Sequence, residues 1–203
     1  MAYKAGIAVI EDHPLTRDAL ISHFMKSDKW RVMGAASNFD QAKSLLLSAQ
    51  ADVILLDLQL EDGLGLNIIS WLKEQDFYKE SFPLIAVYSA FDDFVHVSAA
   101  LGFGAQVYIN KRKNAYELEE ALLKARKGEI VIDDTIRTKL DIAADFFSLL
   151  TKREAQILAL VNNGLSNKQI AQRLGISART VQNIIYCIYD KTGIRSRLEL
   201  QKL

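Results

Sequence analysis

The chain has 203 residues, of which 50% are hydrophobic and 25% are charged, a composition typical of a globular protein. It contains no run of 18 apolar residues, so we expect no membrane-spanning helix and no membrane partner. A single cysteine, Cys187, excludes an internal disulfide, and the apolar run at residues 7–10 is too short for a secretory signal. Together these features predict a cytoplasmic protein.

Short apolar runs alternate with helix-length stretches through residues 1–127. The runs lie at residues 7–10, 32–36, 53–56, 84–87 and 107–109, and the helical stretches at 14–27, 38–50, 65–75, 92–102 and 115–127. The first, third and fourth runs are apolar at every position, which is typical of strands buried on both faces. This alternation predicts an α/β fold with a five-stranded parallel, doubly wound (flavodoxin-like) sheet that carries helices on both faces.

The pattern changes after Gly128. Residues 128–148 are predicted to form a linker that is partly helical, with a helix around 135–147. From residue 149 onward there is no strand pattern, and four short helices are predicted at about 152–162, 167–174, 178–191 and 196–202. We therefore expect a first domain at residues 1–127 and a second, all-α domain at residues 149–203.

Charge is distributed unevenly along the chain, although the formal net charge is zero. Residues 149–203 carry nine Lys and Arg against three Asp and Glu, a net charge of +6, whereas residues 1–127 have a net charge of −3. A basic segment behind an acidic one indicates a polyanionic partner such as nucleic acid. Taken alone, the charge would also fit a solvated helical surface.

Polar residues follow the predicted strands at the sheet edge where their carboxyl ends meet. Glu11 and Asp12 follow the first strand, Asp57 the third, Ser89 the fourth and Lys111 the fifth. Open parallel sheets bind their ligands at this edge. Converging carboxylates predict a hard dication such as Mg²⁺. Asp57 is then placed to accept a phosphoryl group whose oxygens pair with Lys111 and Ser89.

Four segments carry a family resemblance over residues 5–127. IEDHP, VILLDLQLEDGLGL, VYSA and GFGAQVYINK resemble the acidic, phosphoacceptor, switch and lysine motifs of receiver domains in two-component response regulators. The resemblance implies that a sensor histidine kinase phosphorylates Asp57 and that Lys111 pairs with the phosphate. It also implies an Mg²⁺ site whose ligands come from Glu11, Asp12, Asp57 and the backbone carbonyl of Gln59.

The same resemblance implies a conformational switch. Phosphorylation draws Ser89 inward, and Tyr108 rotates into the space that the hydroxyl vacates. Such a domain accepts a phosphoryl group and slowly hydrolyses its own acyl phosphate, so we do not expect an enzyme with a separate substrate. One departure from the family pattern is Glu61, which replaces a usual proline in the phosphoacceptor loop.

The C-terminal segment has the helix-capping and turn residues that are typical of a helix-turn-helix. Thr151 and Glu154 match a capping box, Ser166 and Ser177 are N-cap residues, and Gly175 makes the turn. The third helix is then the recognition helix. Its outward face is predicted to bind DNA, together with the helix before it, through Lys168, Arg179, Thr180, Gln182, Asn183 and Tyr186. Glutamine and asparagine suit adenine, whereas the basic and hydroxyl side chains suit phosphates.

Residues 149–203 also resemble a known family. The segments LTKRE, GLSNKQIAQRLGIS and RTVQN resemble the LuxR-type helix-turn-helix of the NarL/FixJ class. The resemblance implies binding to promoter DNA and homodimerisation through residues 197–203. Gln182 and Ile184 replace a frequent lysine and histidine, so we expect an altered base preference and an apolar side chain at the core edge. Cys187 is expected to be a small packing residue.

Two other functions compete with that of a response regulator. A phosphohydrolase of the haloacid dehalogenase type needs a second aspartate two residues after the nucleophile, but Gln59 stands there. Alternatively, the chain is a phosphorylation-independent DNA-binding regulator whose first domain serves only dimerisation. Because all the receiver positions are filled, the sequence favours a transcription regulator in which phosphorylation of Asp57 controls dimerisation and sequence-specific DNA binding.

Overall fold

A computed structural model describes residues 3–78, 81–138, 140–141, 149–162, 164–194 and 196–200. The chain divides into two compact units: residues 1–92 and 96–134 form the first, and residues 93–95 and 135–203 form the second. The predicted linker helix around 135–147 lies partly outside the described residues, which are helical at 134–138 and 140–141. None of the described helices combines the length and apolar character needed to cross a membrane.

The first unit alternates strands and helices as predicted. Its strands are β1 (Ala5–Ile10), β2 (Trp30–Ala36), β3 (Val53–Leu56), β4 (Gln59–Leu60), β5 (Gly63–Leu64), β6 (Leu84–Ser89), β7 (Val107–Asn110) and β8 (Val131–Ile132). Its helices are α1 (Pro14–Lys26), α2 (Phe39–Ser48), α3 (Leu66–Glu74), α4 (Phe94–Gly102) and α5 (Ala115–Ala125). Pro14 opens α1, and the Asn38 side chain caps α2 by accepting from the Gln41 backbone.

The main sheet is parallel, with strand order β2-β1-β3-β6-β7-β8. Every residue of β1 and β3 is buried, as their uninterrupted apolar runs predict. The chain order reverses between β1 and β3, which makes the carboxyl ends of these strands the binding edge. All five predicted strands are present.

The expected strand count was wrong by one, because β8 adds a sixth strand within the predicted linker. Its two residues pair in parallel with β7, through hydrogen bonds such as Val131 N–H to the Gln106 carbonyl at 2.8 Å. A two-residue strand is too short to produce a period in the sequence. The hairpin of β4 and β5, directly after the Asp57 loop, escaped the sequence analysis for the same reason.

From residue 149 onward, the described helices of the second unit are α6 (Lys152–Asn162), α7 (Asn167–Leu174), α8 (Ala178–Thr192) and α9 (Arg197–Leu200), and short turns connect them. The predicted extension of the last helix to residue 202 lies outside the described residues. Ser166 and Ser177 cap α7 and α8, and Gly175 ends α7 in the left-handed region at φ 65°. Its buried core is formed by Ile157, Leu158, Val161, Ile170, Ala171, Val181, Ile185, Ile188 and Leu200.

Candidate functional site

The carboxyl ends of the sheet strands bring the predicted polar residues to one edge. Glu11 and Asp12 follow β1, Asp57 follows β3, Ser89 ends β6, and Lys111 follows β7. Backbone hydrogen bonds hold these strand ends in register: the Asp57 N–H donates to the Ile10 carbonyl, and the Lys111 N–H to the Ser89 carbonyl, both at 2.9 Å. We call Glu11, Asp12, Asp57 and Lys111 the acidic pocket.

One lysine joins two buried carboxylates in the acidic pocket. Lys111 Nζ lies 2.7 Å from Asp57 Oδ2 and 2.7 Å from Glu11 Oε2, and it donates to Glu11 Oε1 at 2.8 Å. Burial favours the neutral amine, but the hydrogen bonds to Asp57 and Glu11 prevail and raise the pKa of Lys111. Burial also raises the pKa of Glu11, although Lys111 opposes that shift. Two carboxylates therefore face a single ammonium.

The acidic pocket has the donor set that a hard cation requires. Asp57 Oδ1 is buried without a hydrogen-bond partner among the described residues, a costly state for a carboxylate oxygen. Ligand atoms of Glu11, Asp12 and His13 lie within 4.8 Å of one another. Gln59, whose backbone carbonyl was predicted as a ligand, lies in β4 two residues after Asp57. This oxygen-rich cluster fits a magnesium ion.

The predicted switch residues are both buried. Ser89 Oγ accepts from the Phe91 backbone N–H at 3.5 Å, and the Tyr108 hydroxyl donates to the Phe91 carbonyl at 2.9 Å. Both side chains are therefore connected to the same loop residue, whose ring stacks on His96 with centroids 4.0 Å apart. Tyr108 already occupies an interior position in this structure.

Two residues around the acidic pocket escaped the sequence analysis. Arg17, on α1, donates from Nη1 to the backbone carbonyls of Glu11 and Asp12 at 2.8 and 3.0 Å. At Gly65, an added Cβ would lie 2.1 Å from the carbonyl oxygen of Asp57, so only glycine fits there. Gly65 lies in the EDGLGL segment that resembles the phosphoacceptor loop, so the sequence could have indicated it. Arg17 lies in no motif. Glu61, in place of the usual proline, is exposed in the turn of the β4–β5 hairpin.

A concave surface with a volume of about 500 Å³ lies between the start of α7 and the first turns of α8. This recognition groove is lined by Asn167, Ala178, Arg179, Gln182, Asn183 and Tyr186. Four of the predicted DNA-binding residues are thus brought together, and Gln182 Nε2 donates to the Tyr186 hydroxyl at 3.4 Å. Asn167 was not among the predicted DNA-binding residues.

The two other predicted DNA-binding residues lie on the exposed surface without lining the groove. Lys168 follows Asn167 on α7, and the Thr180 hydroxyl lies 2.8 Å from Ser177 Oγ at the start of α8. Ile184 packs against the core cluster, as expected. Cys187 is exposed, so the expectation that it packs in the interior was wrong; it is one turn from the groove residues on the solvent side of α8.

Comparison with protein families accounts for both units. Residues 7–123 match the response regulator receiver domain, and residues 148–203 match the bacterial regulatory proteins of the luxR family. The nitrate/nitrite response regulator protein NarL of Escherichia coli K12 is 32% identical over 203 residues, covering 96% of this chain and 92% of that protein. The response regulator protein VraR of Staphylococcus aureus is 27% identical, covering 95% and 92%.

Solved structures share the fold. RcsB from Salmonella enterica serovar Typhimurium, bound to promoter P1flhDC in the presence of phosphomimetic BeF3⁻, superposes with a TM-score of 0.74 at 19% identity, covering 98% of this chain and 97% of that one. A structure of two RcsB dimers bound to two parallel DNAs gives a TM-score of 0.72, also at 19% identity, with coverage of 98% and 96%. At this identity, the likeness concerns the fold.

Proposed function

The chain belongs to the response regulators that combine a receiver domain with a LuxR-type helix-turn-helix, and we propose that phosphorylation of Asp57 controls its binding to promoter DNA. In this proposal, the domain predicted at residues 1–127 accepts the phosphoryl group and the domain predicted at residues 149–203 recognises DNA. The predicted linker at residues 128–148 joins them. The function of such proteins is regulatory rather than catalytic toward a separate substrate. We propose that this chain acts in the cytoplasm.

The observation that carries the proposal is the ion pair between Asp57 and Lys111. Asp57 is 5% exposed, and its oxygen Oδ2 lies 2.7 Å from the ammonium. A carboxylate oxygen attacks the phosphorus of the donor, a P–O bond forms, and the bond from phosphorus to the histidine nitrogen of a sensor kinase breaks with its electron pair leaving on nitrogen. Lys111 is then placed to pair with the added charge.

The carboxylates of the acidic pocket would hold the magnesium ion that this reaction requires. Glu11, Asp12, Asp57 and the backbone carbonyl of Gln59 would hold the ion, which neutralises phosphoryl oxygens when it is bound. The protein's own contribution is to hold these carboxylates close together at the sheet edge, with Lys111 beside Glu11 and Asp57. Slow hydrolysis of the acyl phosphate by water at the same pocket is part of this proposal.

The signal leaves the pocket through Ser89 and Tyr108. A phosphoryl group on Asp57 adds acceptors for the Ser89 hydroxyl. Because the Ser89 hydroxyl and the Tyr108 hydroxyl both bond the backbone of Phe91, movement of one alters the bonds of the other. We place the switch in this loop, with homodimerisation as its consequence.

The recognition groove is the surface that we assign to duplex DNA. Gln182 and Asn183 offer amides for adenine in the major groove, and Tyr186 extends this surface. Lys168, Arg179 and Thr180 are assigned to phosphates, which fix register. The net charge of +6 over residues 149–203 supports this assignment.

Anisotropy titration of a labelled duplex tests the proposal with the full chain. Mg²⁺ and acetyl phosphate are expected to change the DNA affinity of the wild type, because the phosphoryl group alters dimerisation. Asp57→Asn keeps the size of the side chain but lacks the acceptor carboxylate, so its affinity should not respond. An equal response in both proteins, or none in either, would refute control through Asp57.

A further inference from the structure

Asn167 lines the recognition groove, although the sequence pattern gives it no role beyond the start of a helix. It is the first residue of α7, directly after the N-cap Ser166, and its side chain is half-buried. Arg179 and Gln182 line the same groove from α8. The first helix of a helix-turn-helix crosses the DNA backbone, whereas the second enters the major groove. In that arrangement, the start of α7, and Asn167 with it, would face a backbone phosphate.

Arg197, on α9, fixes the orientation of the Asn167 amide. Its guanidinium donates to Asn167 Oδ1 at 2.8 Å and also to the backbone carbonyl of Leu165. A guanidinium has donors and no acceptor, so the Asn167 atom that faces it must be the oxygen. The NH₂ group is consequently directed away from Arg197, and no acceptor among the described residues takes its protons.

The electrostatic surroundings of this amide suit an anion. Among the described residues, Arg197 donates to two neutral oxygens and pairs with no carboxylate, so its positive charge stays close to the Asn167 amide. The N-terminus of α7 adds the positive end of a helix dipole at the same place. An oriented donor between these two positive features matches a phosphate oxygen better than a base edge, on which donors and acceptors alternate.

We propose that Asn167 contacts a DNA phosphate through its amide NH₂, and that Arg197 is the positioning residue that turns this amide toward the DNA. The inference rests on the proposed DNA binding of the second unit and adds a residue and a helix to it. The interface then runs from α8 across the start of α7 to α9.

Asn167→Asp is the most discriminating variant. An aspartate can still accept from Arg197, so the contact between Arg197 and the start of α7 is kept, but the NH₂ donor is replaced by an anionic oxygen. Gln156→Glu is the matched control, because Gln156 is an exposed amide that accepts from Arg153 at 2.7 Å outside the groove. Both changes add one negative charge to an amide that is paired with an arginine.

The measurement is the affinity of the full chain for two fluorescent duplexes of about 30 base pairs and unrelated sequence, with Mg²⁺ and acetyl phosphate present. We expect Asn167→Asp to weaken both duplexes by the same factor, at least about tenfold, and considerably more than Gln156→Glu does. Equal losses in the two variants would overturn the contact. A loss confined to one duplex would overturn the phosphate assignment, because a phosphate contact carries no sequence preference.

Failure of the proposed function gives a different result. A wild type that binds neither duplex overturns DNA binding and this inference together, whereas a wild type that binds normally beside an unaffected Asn167→Asp overturns the inference alone. Thermal unfolding of each variant separates loss of affinity from loss of fold.

A double-mutant cycle tests the role of Arg197. Arg197→Gln should weaken DNA binding severalfold in the wild-type background and much less in an Asn167→Ala background, since the amide that it positions is then absent. A purely structural role would give equal losses in both backgrounds, and that result would exclude Arg197 as a positioning residue.

Discussion

The acidic pocket and the recognition groove hold their polar side chains in opposite ways. In the pocket, Glu11 and Asp57 are buried and depend on Lys111 for compensation of their charge. In the groove, Arg179 and Asn183 are exposed to solvent. A substitution in the pocket should therefore alter both folding stability and function, whereas a substitution in the groove should alter binding and leave stability nearly unchanged.

Removal of Lys111 should have the largest effect. Lys111→Ala leaves two buried carboxylates without a cation, so the free energy of unfolding should fall by about 3–5 kcal/mol. Added Mg²⁺ should restore part of this loss, and the response of DNA affinity to acetyl phosphate should disappear. Chemical denaturation with and without Mg²⁺ measures the first two effects. Lys113→Ala, which removes an exposed pair with Glu117, is the control and should change the free energy of unfolding far less. Equal costs would contradict our description of the pocket.

Gly65→Ala should rank second. Its Cβ would lie 2.1 Å from the Asp57 carbonyl oxygen, and the backbone of the phosphoacceptor loop must move to admit it. We expect a loss of about 2–3 kcal/mol in unfolding free energy together with slower phosphorylation. Gly102→Ala has open space around the new methyl group and should be neutral or slightly stabilising. If the two variants unfold at the same denaturant concentration, the close approach at Gly65 is unimportant.

Asn183→Ala should affect binding alone. Loss of one bidentate base contact is expected to cost about 1–3 kcal/mol for the preferred sequence and to relax specificity at one position. Selection of duplexes from a randomised pool measures the preference, and Gln172→Ala, on the exposed side of α7, is the control. A uniform loss over all duplexes would make Asn183 a phosphate contact instead.

Glu119, which lies outside both the acidic pocket and the recognition groove, tests whether hydrogen-bond partners inside the protein determine how much stability a substitution removes. Burial disfavours its carboxylate, but hydrogen bonds from Ser27, His23 and Trp30 prevail and lower the pKa of Glu119 below its usual value of 4.5. A lowered folded-state pKa contributes stability above the unfolded value, and this contribution is lost as the pH falls through the folded value.

Glu119→Gln should therefore lower the unfolding free energy by about 1 kcal/mol at neutral pH, and the difference from wild type should shrink as the pH falls below 4.5. Urea unfolding at several pH values measures this difference. The exposed Glu120→Gln should show little effect at any pH. A difference that grows on acidification would reverse the assigned sign.

Residue type and strand position were sufficient to predict most of the first unit. The uninterrupted apolar runs of β1 and β3 indicated double burial, and the strand ends then placed Asp57 and Lys111 at one edge. The sequence pattern could not reveal β8, because pairing of two residues depends on the neighbouring strand. Arg17 was also hidden, since its partners are backbone carbonyls and leave no motif.

The recognition groove was less predictable. Helical spacing correctly placed Arg179 and Gln182 outward, whereas Cys187 was expected to pack on its residue type alone and is exposed. A small sulfur side chain is compatible with either face, so periodicity alone does not decide its position. The orientation of Asn167 depends on Arg197, thirty residues later in the chain, and no local pattern encodes such a contact.

Intact-mass spectrometry after incubation with Mg²⁺ and acetyl phosphate examines the phosphoacceptor assignment with the fewest intervening steps. The wild type should gain one phosphoryl group, and Asp57→Asn should gain none. Phosphorylation of Asp57→Asn to the wild-type level would contradict the assignment of Asp57. If neither protein gained a group from this donor or from a sensor histidine kinase, the chain would instead be a DNA-binding regulator that works without phosphorylation.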